Sequence, residues 1–128
     1  MLKSIKSLLE RSAFLVSATI TLLVAYLSLT PITDLNVEIT ISDKFLHSLA
    51  YLVLTCSWLF AIKKSHSNFK TKILIGFVVF LFGIILEVLQ SSLTIYRHGD
   101  YLDIIANTIG IVLAIVAFNH LFRIYKTI

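Results

Sequence analysis

The sequence predicts an all-α polytopic membrane protein: a bundle of four transmembrane helices with both termini in the cytoplasm. Three observations carry this expectation. Hydrophobic residues make up 58% of the 128 residues and charged residues only 14%, with a mean hydropathy of +0.94. A water-facing domain of this size leaves much of its surface exposed and could not hide that much apolar area. The apolar residues also fall into four runs, at 13–30, 45–62, 73–93 and 104–122. Each is close to the roughly 20 residues that a helix needs to cross hydrocarbon. Finally, Lys and Arg gather at alternate connections, as expected of a chain that crosses and recrosses a bilayer.

The first run follows Lys3, Lys6 and Arg11. A basic start before an apolar stretch also fits a cleaved signal peptide, but the run is long and no A-x-A site precedes Pro31, so a retained helix is expected. The second and third runs are joined by a connection carrying Lys63, Lys64, Lys70 and Lys72, and the fourth is followed by Arg123 and Lys126. The other two connections, 31–44 and 94–103, hold only Lys44 and Arg97. The positive-inside rule therefore places the termini and the 63–72 connection in the cytoplasm and the other two outside. Residues 65–72 read as a short polar turn between antiparallel helices, and Asn119 and His120 as side chains that reach cytoplasmic water. None of the runs alternates polar with apolar, which excludes barrel strands. No repeat or long linker divides residues 1–128, so a single domain is expected.

Other classes are excluded by what is missing. The formal charge is +4, but no Lys/Arg stripe interleaved with aromatics lies outside the apolar runs, so no nucleic-acid partner is expected. Cys56 is the only cysteine, which removes an intrachain disulfide, CxxC chemistry and a thiolate zinc site. Polar groups gathered at one end rather than along a path, without an inverted repeat, argue against a monomeric transporter or channel.

Ionisable groups inside apolar helices are costly, so their positions are informative. On the second helix Asp43, His47 and Tyr51 recur every four residues and share one arc. On the third, Gly76, Gly83, Glu87 and Gln90 share a face. On the fourth, Asp103 and Asn107 stand above Gly110, Ala114 and Ala117, a stripe of small residues that allows close helix approach. The second and fourth helices start where the third ends, so His47, Glu87 and Asn107 are expected at one depth. The connection before Asp103 adds Tyr96, Arg97, His98, Gly99 and Asp100. Taken singly, Asp43 and Asp103 fit helix N-caps, Tyr51 fits a core aromatic and the glycines fit packing residues. Glu87 fits a structural role less well, and pairing with Arg97 or His47 is expected.

In order along the chain these residues read D-K-x-x-H-x-x-x-Y at Asp43, Lys44, His47 and Tyr51, then E-x-x-Q at Glu87 and Gln90. They end in R-x-x-x-x-x-D-x-x-x-N-x-x-G at Arg97, Asp103, Asn107 and Gly110. This set resembles the VanZ-like family from Asp43 to about Ala114, with departures at Tyr96 and Ala114, where glycine is common in the family. The resemblance implies a small multi-pass protein of the bacterial cytoplasmic membrane, in a family named for a member that confers low-level teicoplanin resistance. It supplies no established reaction.

Two functions follow as expectations. In the first, an outer-leaflet pocket formed by Asp43, Lys44, His47, Tyr51, Glu87, Gln90, Arg97, Asp103 and Asn107 binds a membrane lipid or lipid-linked amphiphile. In the second, a membrane-embedded enzyme acts on a phospholipid or lipid-linked cell-wall intermediate. His47, Glu87 and Asp103 are then the candidate catalytic groups: His47, held by Asp43, acts as general acid or base, Glu87 is its counterpart, and Arg97 anchors phosphate. No cofactor is expected. A metal held by Asp43, His47, Glu87 and Asp103 ranks below a plain ion-pair network, because no dense ligand motif is present.

Overall fold

A computed structural model describes the backbone of residues 2–29, 41–93 and 101–127, excepting the side chains of Leu2, Leu9, Ile41, Ser42, Asp43, Lys64 and Leu93. The described residues form four long helices: α1 (Leu2–Leu29), α2 (Ile41–Ala61), α3 (Phe69–Leu93) and α4 (Tyr101–Thr127). All four are long and apolar enough to cross a membrane. The protein is therefore an all-α, multi-pass integral membrane protein.

The helices run beyond the apolar stretches that predict them. Hydropathy marks only what lies in hydrocarbon, and residues 2–12 contain no Gly or Pro to stop a helix that has left it. The 65–72 stretch also differs from a simple turn. A short 3₁₀ helix covers Lys63–His66, and α3 already begins at Phe69. Asn68 caps α3, its Oδ1 accepting from the amides of Lys70 (3.0 Å) and Thr71 (3.3 Å), two groups that a helix start leaves without partners. The buried Ser65 hydroxyl faces the carbonyls of Leu59 (2.6 Å) and Ile62 (2.8 Å) at the end of α2. Capping thus satisfies both helix ends with side chains from the turn itself.

Helices α2 and α4 run together with their N-termini at one end of the bundle, and α1 and α3 end there. Burial follows the inverse of a soluble protein. Phe14, Leu15, Leu22, Phe45, Leu46, Phe77, Val88 and Val116 are exposed, as expected of side chains that meet lipid tails, while a narrow core holds Tyr51, Leu54, Leu59, Ile75, Val79, Ile111 and Phe118. Lipid is as apolar as leucine, so close packing and hydrogen bonds rather than water exclusion hold such helices together.

Small residues decide the closest contacts. A Cβ on Gly110 would lie 2.1 Å from the Ser48 carbonyl oxygen and 3.0 Å from the Leu52 nitrogen, so α4 touches the backbone of α2 there. Ser48 Oγ reinforces the contact by donating to the Ala106 carbonyl at 2.8 Å. A Cβ on Gly76 would meet side chains rather than backbone, the flexible tip Ile115 Cδ1 at 2.7 Å and Ile111 Cγ2 at 3.2 Å. α1 is held differently: Trp58 Nε1 donates to Thr21 Oγ1 (2.9 Å), and Gln90 Nε2 donates to the Ser28 carbonyl (2.7 Å).

At the opposite end, Phe60, His66, Phe118, Phe122 and Tyr125 form a ring cluster in which His66 and Phe122 stand 4.3 Å apart and Phe60 meets Tyr125 edge-on at 4.9 Å. Beside it lies a difference from expectation. Lys72 is only 4% exposed; its ammonium donates to Asn119 Oδ1 at 2.6 Å and stands 5.6 Å from the Phe118 ring. Asn119 is thus the partner of a buried lysine rather than a side chain given to water alone. A buried ammonium requires an acceptor, and the pairing of residues 47 positions apart is invisible to local periodicity.

The glycine contacts predict an ordered pair of effects. Gly110→Ala should lower unfolding stability in detergent by about 1–3 kcal/mol, because backbone cannot yield to the added methyl. Gly76→Ala should cost less than Gly110→Ala, since Ile115 can rotate, Ile111 need shift only by a few tenths of an ångström and alanine favours the helix. Thermal unfolding of the two variants side by side measures the difference.

Candidate functional site

Asp103 lies in the first turn of α4, where the unpaired amides of a helix N-terminus favour an acid. Across the α2–α4 contact it meets two cations or potential cations from the first turns of α2. Lys44 Nζ donates to Asp103 Oδ1, and His47 Nε2 stands 3.8 Å from Asp103 Oδ2. The two oxygens of one carboxylate thus face different bases. Glu87, from the last turns of α3, completes the group: ligating atoms of His47, Glu87 and Asp103 all lie within 4.8 Å of one another.

These groups are not surface charges. Asp103 is 5% exposed and Glu87 8%. A carboxylate in that position is tolerated when it is paired, hydrogen-bonded or protonated, and the side chains gathered here supply an ammonium and an imidazole. One turn deeper, Gly83 makes room for two more polar groups. A Cβ there would stand 3.2 Å from Asn107 Nδ2 and 3.2–3.4 Å from the Tyr51 ring and hydroxyl. Asn107 is 2% exposed, and its Oδ1 has no hydrogen-bond partner among the described residues. Lys44, His47 and Tyr51 from α2, Glu87 from α3, and Asp103 and Asn107 from α4 therefore occupy one end of the bundle.

The remaining expected site residues stand differently. Gln90 shares the face of Glu87, but its amide donates to the Ser28 carbonyl of α1. Asp43 belongs to α2, but its side chain lies outside the described residues, as do Tyr96, Arg97, His98, Gly99 and Asp100. The expected pairing of His47 with Asp43 and of Glu87 with Arg97 falls there too. Within the described residues Asp103 faces His47, and Glu87 stands within 4.8 Å of both. Ser48 was not among the expected residues, although its place one turn after Lys44 puts it on the same arc. Its bond to Ala106 fixes the register in which Lys44 and His47 reach Asp103.

Chemically, the arrangement offers an imidazole flanked by two carboxylates, a lysine and a buried amide oxygen. It can hold an ionic head group, relay a proton between His47 and a carboxylate, or present one nitrogen and two oxygens to a cation. The Lys44–Asp103 interaction predicts a coupled response. Asp103→Asn alone should destabilise the protein by roughly 1.5–3 kcal/mol, since it removes a charged acceptor from Lys44. Lys44→Met with Asp103→Asn should cost less than the sum of the single changes, with a coupling energy of about 0.5–3 kcal/mol in a double-mutant cycle read by unfolding in detergent.

A family model described as VanZ/LLP1 matches residues 2–123. Searches of curated proteins and of solved structures gave no match. The match takes in α1, α2 and α3, most of α4, and every residue of the polar cluster; the chain belongs to the VanZ/LLP1 family.

Proposed function

We propose that this protein binds the polar head of a membrane amphiphile in the cluster around His47, Glu87 and Asp103, with the ligand's tail lying along the lipid-facing helices. One observation carries the reading: two buried carboxylates, an imidazole and a lysine from three helices meet at one end of a bundle otherwise sheathed in apolar side chains. Such a concentration of ionisable groups at a bilayer rim is costly unless it has a use. Arg97 and Asp43 are included in this reading on their spacing, and Tyr51, Gln90 and Asn107 as the floor and flank of the site.

The fuller reading is of a single-domain protein of the bacterial cytoplasmic membrane, with both termini inside and the cluster in the outer leaflet. There it would lower the access of a lipid-tailed glycopeptide such as teicoplanin to its cell-wall target. The orientation rests on the Lys and Arg distribution, and the antibiotic on family membership. Expression in a teicoplanin-sensitive bacterium should raise the concentration needed to stop growth. Glu87→Gln and Asp103→Asn variants, inserted to equal levels, should not. Equal protection by wild type and variants, or protection by neither, removes this reading.

A second reading is favoured by the 3.8 Å approach of His47 Nε2 to Asp103 Oδ2. A carboxylate that orients an imidazole prepares it for general acid–base chemistry, here on a phospholipid or lipid-linked precursor, with Glu87 as the opposing group. Release of phosphate or head group by protein in lipid micelles, abolished in His47→Ala, would support it. Absence of turnover across pH 5–9, with and without divalent ions, would leave binding alone.

A further inference from the structure

We infer that His47, Glu87 and Asp103 form a site for one divalent cation, Zn²⁺ or Mn²⁺, with Asn107 as a neutral oxygen donor beneath it. Three ligating atoms from three different helices lie within 4.8 Å of one another, and His47 Nε2 and Asp103 Oδ2 are already 3.8 Å apart. Ligands bound at about 2.0–2.2 Å stand about 3–4 Å from each other. The widest pair therefore needs to close by roughly 1 Å, which side-chain torsions supply without moving a helix.

The surroundings suit such an ion. One imidazole and two carboxylates form a mixed nitrogen–oxygen set, which favours Zn²⁺ or Mn²⁺ over the softer metals that select sulfur. Lys44 occupies Asp103 Oδ1, leaving Oδ2 directed towards the imidazole. It therefore plays the outer partner that commonly orients a ligating carboxylate. An independent sign comes from Asn107, one helical turn below Asp103. Its Oδ1 is buried and without a hydrogen-bond partner among the described residues, and a buried acceptor in that condition is rare. The Gly110–Ser48 contact holds α2 against α4, and the space at Gly83 sets α3 beside Asn107 and Tyr51, so the donors are presented by packed helices rather than loops.

Three side-chain ligands leave a coordination position open for water or for an anionic oxygen. That last step rests on the amphiphile reading, because a cation would let an anionic head group sit beside two carboxylates. The cation site itself does not depend on it, and the test uses metal alone.

The full chain, purified in detergent without a polyhistidine tag and stripped with chelator, is titrated calorimetrically with ZnCl₂ and separately with MnCl₂. The expected result is one ion per chain with a raised unfolding temperature, and at least about a tenfold loss of affinity in His47→Ala and in Glu87→Gln. If the variants unfold, Co²⁺ added to wild type decides. A visible spectrum of protein-coordinated cobalt supports the site, and that of the aqueous ion overturns it. Failure of both metals to bind, or equal binding by wild type and both ligand variants, also overturns it. Native mass spectrometry of the metal-free protein with an anionic phospholipid separates the two ideas, since retained lipid without metal would leave amphiphile binding standing and the cation site alone refuted.

Discussion

The absence of a side chain at Gly110 governs the arrangement of the polar end. The Ser48 carbonyl stands where a Cβ would otherwise be, so α2 and α4 approach backbone to backbone. From that contact the first turns of both helices rise side by side, and Lys44 and His47 come to face Asp103. A wider spacing would leave the aspartate in hydrocarbon without its lysine, a charge the bilayer penalises heavily. Steric fit and electrostatics thus depend on each other: the glycine permits the ion pair, and the ion pair with the Ser48–Ala106 bond holds the glycine contact closed.

The two ends of the bundle satisfy their polar groups in different ways. At the end holding Asp103, charges answer charges across helices. At the other, a single buried ammonium is met by an amide oxygen and an aromatic face. Lysines 6 and 126 lie over the Tyr125 and Phe122 rings, while Glu10 accepts from the Tyr125 hydroxyl at 2.8 Å. Hydroxyls within the spans are handled locally, as in Thr21 to Ser17 and Thr108 to Ile104, the usual return of a helix hydroxyl to its own backbone. Among the described residues few buried side-chain polar atoms are left over, and of these Asn107 Oδ1 alone belongs to the charged end.

The four spans and the shared faces of their polar residues were legible in the sequence, because hydropathy and a 3.6-residue period report directly on what a helix in lipid turns inward. The approach of His47 to Glu87 followed from the alternating direction of the helices, whereas Asn107 lies a turn deeper beside Gly83 and it is Asp103 that joins them. What periodicity could not supply was which helix lies against which. His47 faces Asp103, 56 residues away, as well as whatever its own helix offers. Gln90 stands on the face of Glu87 but turns its amide to α1. Lys72 looked like a topological charge in a loop, yet the capped start of α3 carries it into the packed interior. Each of these depends on neighbours chosen in three dimensions, a choice that small residues such as Gly110 make possible without specifying alone.

The loose attachment of α1 has a mechanical consequence. Its apolar part, Glu10–Leu29, is 20 residues, about 30 Å long and matched to a hydrocarbon layer of that thickness. Of its described span residues only Ala13 and Ser17 are buried. Hydrogen bonds at different heights tether it, from Tyr125 to Glu10, from Trp58 to Thr21 and from Gln90 to Ser28. Where the bilayer thins, such a span exceeds the layer and answers by tilting, and in this bundle the least-embedded helix tilts most freely. Because one tether starts from Gln90, a single turn from Glu87, leaflet thinning or thickening would be felt as strain beside the charged residues.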